Sequence, residues 1–381
     1  MTAILPGSTI GILGGGQLGR MTAMAARSLG YRIQVMDPDP SCPARFVVDA
    51  CFEGGWDDAR VAADLARGCD VVTLEIEQVS IACLEAAAKY APVRPNAGPM
   101  RIIQDRIAQK KWLAEHGGPL GEWRPVESEA ELVEAVAALG KVFVKSARGG
   151  YDGRSQVKIG FGDATTAAEA WRLLGGKPCV AEKALELDKE ISVMVARAPN
   201  GETKSFPSAL NHHENQILEW SVIPSSVPAD LENHAQQIAA EIAAGLGIEG
   251  LLAVEMFVTK AGDLLVNELA PRPHNSYHAS ELACVTSQFE QAVRAVCDLP
   301  LGDVSVVQPA AIANLLGETW LGENGESREP RFDRALAIPG VSLHLYEKHK
   351  PRKGRKMGHL AAVGKTPDEA VQKVMEAKGL L

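Results

Sequence analysis

The seven cysteines, Cys42, Cys51, Cys69, Cys83, Cys179, Cys284 and Cys297, include no CxxC pair, which excludes a zinc knuckle and a dithiol redox motif. Scattered reduced thiols are the expectation for such a set. Long apolar runs are missing as well: no stretch reaches the ~18 residues that a transmembrane helix needs. The N-terminus lacks a charged leader region and a small-residue cleavage site, so no signal peptide is expected. Positive charge is in deficit, 39 Lys and Arg against 48 Asp and Glu, which argues against nucleic-acid binding by bulk charge. No internal repeat and no low-complexity tract occurs. A Walker A loop is absent too. Gly358 to Thr366 ends in Gly-Lys-Thr, but the spacing from Gly358 to Gly364 is one residue too long, so a nucleotide site here must be of another kind. The same charge balance is unremarkable for a cytoplasmic enzyme, and neither membrane nor nucleic-acid partners are expected. The chain's 381 residues suffice for two or three domains at ~150 residues each.

The opening reads as strand, turn, helix and strand: Thr9 to Leu13, Gly14 to Gly19, Arg20 to Leu29, and Tyr31 to Met36, with a further strand at Val71 to Leu74. That order predicts a doubly wound α/β domain over residues 1–99, closed by Pro92, Pro95, Asn96 and Pro99. Helical spacing then runs from Arg101 to His116. Strands are predicted at Val142 to Lys145, Gln156 to Ile159, Cys179 to Glu182 and Glu190 to Ala196, with helices at Ala164 to Leu174 and Leu231 to Leu246. A hairpin joins Leu251 to Val258 with Leu264 to Glu268. This middle region covers 100–302, and a segment over 303–381 ends in a helix from Pro367 to Lys378.

Gly14, Gly16 and Gly19 complete a GxGxxG turn, and Asp37 ends the next strand. The turn admits three readings: tight packing alone, contact with a phosphorylated or polar ligand, or a dinucleotide site as in an NAD(P)-dependent oxidoreductase. The rest of the chain weighs against the last.

The hairpin carries two carboxylates. A turn centred between Ala261 and Gly262 pairs Glu255 with Glu268 across the ladder, where like charges destabilise by up to ~1 kcal/mol. A divalent cation between them removes the conflict, and carboxylates together with phosphate oxygens suit Mg2+. Asn267 can add another oxygen. The loop Gly149 to Arg154 joins two strands and holds three glycines, the composition of a lid whose N–H groups cover phosphates. Lys145, just before it, offers a point charge.

Together, Lys145, the GGYDGR loop, the strand at Val180 to Leu185, Glu190, the Glu255 and Asn267-Glu268 carboxylate pair and the run Asn267 to Ser276 resemble the ATP-grasp enzymes. Among these the chain is most similar to the 5-(carboxyamino)imidazole ribonucleotide synthases of purine biosynthesis, from GGGQLGRM at Gly14 to PRKGRKMGH at Pro351. The resemblance implies an ATP-grasp α/β fold with an N-terminal Rossmann-like domain, a lid subdomain over about 120–182 and a small C-terminal domain. It implies carboxylation of 5-aminoimidazole ribonucleotide by ATP and bicarbonate, with two Mg2+ ions, in a homodimer.

The resemblance also assigns roles. Arg106 and Lys145 would contact the ATP phosphates, with Gly150, Tyr151, Asp152, Gly153, Arg154, Ser155 and Gln156 as the lid. Glu182, Lys183, Ala184 and Leu185 would be the adenine hinge, Glu190 the ribose acceptor, and His213 and Asn267 further nucleotide-site residues. Glu255 and Glu268 would hold Mg2+. The ribonucleotide would meet Gly16, Gln17, Leu18, Glu75, Tyr151, Asp152, Arg154 and Ser276. Arg272, His274 and Asn275 would hold bicarbonate and the carboxyl phosphate, with Asp152 as the base. Taken singly, His274 reads as a structural histidine, His213 as a surface one and Arg106 as a solvated helix charge. The basic run Lys348, Lys350, Arg352, Lys353, Arg355 and Lys356 reads by itself as a solvated patch. The resemblance makes Lys348 and Arg355 the ligands of the 5′-phosphate. Two same-class alternatives stay open, a formate-dependent glycinamide ribonucleotide transformylase and a biotin carboxylase subunit. So does a non-catalytic ATP-binding regulator.

Overall fold

The computed structural model describes residues 2–149, 155–162, 165–322 and 325–381. Thr9–Leu13 is buried along its whole length, the signature of a strand covered on both faces, and it lies inside a parallel sheet. The order of that sheet is Ala50–Glu53, Arg32–Asp37, Thr9–Leu13, Val71–Leu74. The helix after the glycine turn spans Gln17–Ser28, three residues earlier than the predicted start, because Gly16 is its N-cap.

The helical spacing from Arg101 to His116 resolves into two helices, Ala97–Ile103 and Arg106–Glu115. Asp105 causes the break: its side chain accepts the N–H groups of Ile107 and Ala108 at 3.0 and 3.2 Å and caps a new helix. Arg106 thereby stands at the first turn of that helix rather than in its middle.

A nine-stranded antiparallel sheet forms the centre of the molecule. It runs from Leu264–Ala270 through Gly250–Thr259, Leu187–Arg197, Ala209–Glu214 and Ile217–Ile223 to Ala310–Leu316, Lys356–Val363 and Val341–Leu345, with Thr203–Ser205 on the side. The C-terminal strands therefore extend the central sheet, through the pairing of Ile223 with Ala310, instead of forming one of their own. Ile238 and Ile242 of the helix Ala229–Gly245 pack on Val193 and Val254 on one face. Ala292 and Ala295 of Gln288–Val296 pack on Met194 and Ala253 on the other. A third sheet, Trp123–Val126, Cys179–Lys183, Val142–Ser146, Gln156–Ile159, stands beside it.

The hairpin has Glu255 opposite Glu268, as the sequence suggests, by a different route. The loop is Lys260, Ala261 and Gly262, with Gly262 at φ +93°, the left-handed position of a three-residue hairpin turn. Met256 then faces Val266, and the register shifts between Glu255 and Met256 so that Glu255 still meets Glu268. Asn267 is the extra residue of this bulge, and bulges re-aim side chains.

Among the described residues no helix is long and apolar enough to cross a membrane. All seven cysteines are free thiols.

Candidate active site

The hairpin, the helix at Arg106 and the small sheet converge on one polar cluster. Asn267 donates from Nδ2 to Glu255 Oε2 at 3.2 Å and accepts from Lys145 Nζ at 3.1 Å. Arg106 donates from Nη2 to Glu268 Oε1 at 3.1 Å and holds the carbonyl oxygens of Ser146 and Gly149 with Nη1. Burial pushes the Glu255 carboxyl up, and the neighbouring charges of Glu268 and Glu190 add to this. An acid so placed is relieved by a cation. The surrounding donors are carboxylate and amide oxygens, the set that a hard divalent ion prefers.

Glu182 stands between two ammonium groups, 2.9 Å from Lys110 Nζ and 2.8 Å from Lys145 Nζ. Burial by itself would raise its carboxyl, but Lys145 and Lys110 outweigh that and bring it to about 2. Of its hinge neighbours, Lys183 pairs with Glu122 and Ala184 N–H donates to the Lys141 carbonyl. The Leu185 side chain packs beside Gly121. Gln156 lies opposite Lys145 in the ladder, and the Ser155 carbonyl accepts from Ser146 N–H. Glu190 Oε2 meets His213 Nδ1 at 2.7 Å. Burial opposes the charged imidazole, yet Glu190 and Glu255 hold His213 above its ordinary range.

After Ala270 the chain turns into Arg272 to Ser276. Arg272 is paired with Glu77 at 2.7 Å. His274 approaches Glu255 with Nε2 at 3.2 Å and Ser276 Oγ with Nδ1 at 2.8 Å. Burial, with Arg272 next, holds this imidazole far below its usual range, so it is neutral: Nε2–H donates to Glu255 and Nδ1 accepts. Ser276 is fully buried and its hydroxyl also meets Ser192 Oγ, so its side chain orients His274. Asn275 is 6% exposed, and neither atom of its side-chain amide has a partner among the described residues. A buried amide left open in this way is a place for a polar ligand.

The N-terminal domain brings the carboxyl ends of its strands to the same cleft, the edge at which open α/β sheets bind ligands. Glu75 accepts Gly16 N–H at 2.6 Å and Gly19 N–H at 2.7 Å, and Asp37 accepts Gly15 N–H at 2.8 Å. The turn's N–H groups are thus taken by carboxylates. A pyrophosphate would have to displace two anions to reach them, which removes the dinucleotide reading. Leu18 packs in a small cluster with Met21, Phe289 and Tyr346. Lys348 reaches across the cleft to the side-chain oxygen of Gln17 and donates to the Lys356 carbonyl at 2.7 Å. Arg355 bonds the Lys350 carbonyl at 2.9 Å and lies near enough to Asp39 to help hold that carboxyl low, after the bonds from Ser41. Gly150, Tyr151, Asp152, Gly153 and Arg154 lie outside the described residues.

Comparison with known proteins covers the whole arrangement. Residues 7–104 match the ribonucleotide synthetase preATP-grasp domain, 111–289 the ATP-grasp domain, and 310–373 the phosphoribosylaminoimidazole carboxylase C-terminal domain. The N5-carboxyaminoimidazole ribonucleotide synthase of Brucella melitensis is 38% identical over 95% of this chain and 98% of its own length. The chain belongs to the N5-carboxyaminoimidazole ribonucleotide synthase family. A solved ADP complex of an N5-carboxyaminoimidazole ribonucleotide synthetase superposes with a TM-score of 0.91 at 38% identity, covering 99% of this chain and 98% of the other. The N5-carboxyaminoimidazole synthase of Aspergillus clavatus, in complex with ADP and 5-aminoimidazole ribonucleotide, gives 0.87 at 31% identity, with 98% of each chain covered.

Within this synthase framework, four features escape a reading of the sequence. Lys110 is one helical turn from Arg106 on the same face, a spacing that could have flagged it. Glu77 follows Glu75 by two residues and carries no motif. The serine and asparagine network behind His274 comes from separate strands: Asn211 Nδ2 donates to Ser192 Oγ at 3.1 Å, and the single O–H of Ser221 is shared between Asn211 Oδ1 at 2.9 Å and the Ser276 carbonyl at 2.8 Å. Gln288 clamps the backbone of His274 with two bonds, accepting its N–H at 2.8 Å and donating to its carbonyl at 2.9 Å.

Proposed function

We propose that the chain carboxylates 5-aminoimidazole ribonucleotide with ATP and bicarbonate, giving 5-(carboxyamino)imidazole ribonucleotide, ADP and phosphate. The observation that carries the reading is the meeting of Glu255, Glu268, Asn267 and Lys145 with the run Arg272 to Asn275 in one cleft.

In this reading a bicarbonate oxygen attacks the γ-phosphorus of ATP and ADP leaves, giving carboxyphosphate. Such a transfer depends on positioning and charge neutralisation more than on covalent help. Lys145 and Arg106 meet the phosphates, and Lys110 keeps Glu182 in place as Lys145 engages them. Glu255 and Glu268, with Asn267 beside them, would hold Mg2+, which would supply further charge neutralisation at the phosphates. Arg272 and the open amide of Asn275 orient bicarbonate, while neutral His274 donates through Nε2. The exocyclic amine of the ribonucleotide then bonds to the carboxyl carbon, phosphate departs, and the amine proton passes to Asp152. The lid residues Gly150 to Gln156 keep water from the intermediate. Glu182 to Leu185 flank the adenine, Glu190 and His213 the ATP ribose, and Gly16, Gln17, Leu18, Glu75, Lys348 and Arg355 the ribonucleotide. Residues 1–99, 100–302 and 303–381 form the three working segments. The enzyme acts as a cytoplasmic homodimer.

The test is ADP release measured with bicarbonate and 5-aminoimidazole ribonucleotide together and with each omitted. Full turnover should need both. Equal turnover with formate and glycinamide ribonucleotide would overturn the assignment.

A further inference from the structure

Behind the catalytic run, the antiparallel strands Val341–Leu345 and Lys356–Val363 pair His344 directly with His359. Residues so paired have Cβ atoms ~4.5–5.5 Å apart on one face of the sheet. The short helix Ser280–Ala283 brings Glu281 to the same place. One ring nitrogen from each histidine and one carboxylate oxygen of Glu281 lie within 4.8 Å of one another.

The inner histidine is prepared in a particular way. His359 Nδ1 is 2.8 Å from the hydroxyl of the buried Tyr346, while Nε2, equally buried, has no partner among the described residues. A fully buried ring nitrogen without a hydrogen bond needs an explanation. With Nδ1–H given to the tyrosine oxygen, the Nε2 lone pair is free, the arrangement by which proteins orient metal-bound imidazoles. Burial holds His344 and His359 below the usual range, so both rings are neutral and able to donate electrons. Access exists from outside, since Glu281 is exposed and His344 half-buried.

We propose that Glu281, His344 and His359 form a second cation site, apart from the Glu255 and Glu268 pair, that takes a borderline transition-metal ion such as Zn2+. Two imidazoles and one carboxylate with an open fourth position is a recurrent zinc donor set. Imidazole nitrogen discriminates against Mg2+ and Ca2+, which seek oxygen. The rings of His344 and His359 now lie 4.5 Å apart and within 5° of parallel, so chelation requires His344 to rotate about its Cβ–Cγ bond while Tyr346 holds His359.

The experiment uses the full chain, stripped with chelator and kept in saturating Mg2+, titrated with Zn2+ by calorimetry and with Co2+ by absorption. One equivalent should bind per chain, and bound Co2+ should show visible ligand-field bands without a thiolate charge-transfer band. Glu281→Gln and His344→Ala, both at the accessible side, should each weaken binding by at least about tenfold and leave ADP release in Mg2+ unchanged. Tyr346→Phe should weaken it about ten- to a hundredfold. Absence of stoichiometric binding would overturn the proposal. So would affinity indifferent to Glu281→Gln and His344→Ala, or a thiolate band that disappears in Cys42→Ser.

Discussion

Replacing Glu182 with glutamine would leave two buried ammonium groups facing each other across an uncharged amide. Glu182 is 14% exposed and Lys110 6%, with ion pairs of 2.9 and 2.8 Å to Lys110 and Lys145. Folding lowers the carboxyl from 4.5 to about 2. At 1.36 kcal/mol per unit, that corresponds to about 3 kcal/mol of stability at neutral pH. Lys110 opposes this in part, since burial lowers its ammonium despite Glu182. Removing one member of a buried pair costs about 3–5 kcal/mol, because the other charge stays behind. Glu182→Gln should therefore lose about 3 kcal/mol in chemical denaturation at pH 7. A cycle with Lys110→Met should give a coupling of about 1–3 kcal/mol. The sign follows from the depressed carboxyl: its contribution is present above about pH 4.5 and is lost as pH falls toward 2. The gap between wild type and Glu182→Gln should close over that window. A coupling below about 0.5 kcal/mol at pH 7, or a gap that persists at pH 2–3, would refute the reasoning.

Burial brings His278 down to about 3 and holds His359 far below its usual range. Depressed imidazoles stabilise the fold above their unfolded value of 6.5, and this is lost as pH falls; His278 should contribute a loss of about 1.4 kcal/mol per pH unit between pH 6 and 4, with His359 and His274 acting in the same direction, read by denaturant titration of the metal-free protein. Gly19→Ala would drive a Cβ into the Gly14 carbonyl oxygen, and should lower stability by about 1–3 kcal/mol and weaken ribonucleotide binding, with a smaller effect on the KM for ATP. Glu268→Gln should abolish most ADP release while circular dichroism stays unchanged; normal turnover at ordinary Mg2+ would remove the metal assignment. Arg355→Ala should raise the KM for 5-aminoimidazole ribonucleotide about ten- to a hundredfold, with Lys350→Ala and Lys353→Ala near wild type. Equal small effects at all three would mean a solvated patch.

What the chain determines locally is legible in its sequence. Thr9–Leu13 and Val71–Leu74 follow from short apolar runs between turns, and the facing of Glu255 and Glu268 follows from a short loop. Even there the pairing depends on two local details that offset each other, a turn centred on Ala261 and a bulge at Asn267, which propensity does not reveal. The order of Lys145, Glu190 and the Asn267 to Ser276 run identifies the family without coordinates, because each segment carries its chemistry in adjacent residues. Tertiary structure decides the remainder. Lys110 meets Glu182, Arg272 meets Glu77 and Lys348 meets Gln17 only after separate sheets pack together. The protonation of His274 is likewise settled by burial and by Arg272, neither of which is a property of its neighbours in the chain. Electrostatic fields and desolvation depend on distances through space, and for groups far apart in sequence those distances exist only in the folded molecule.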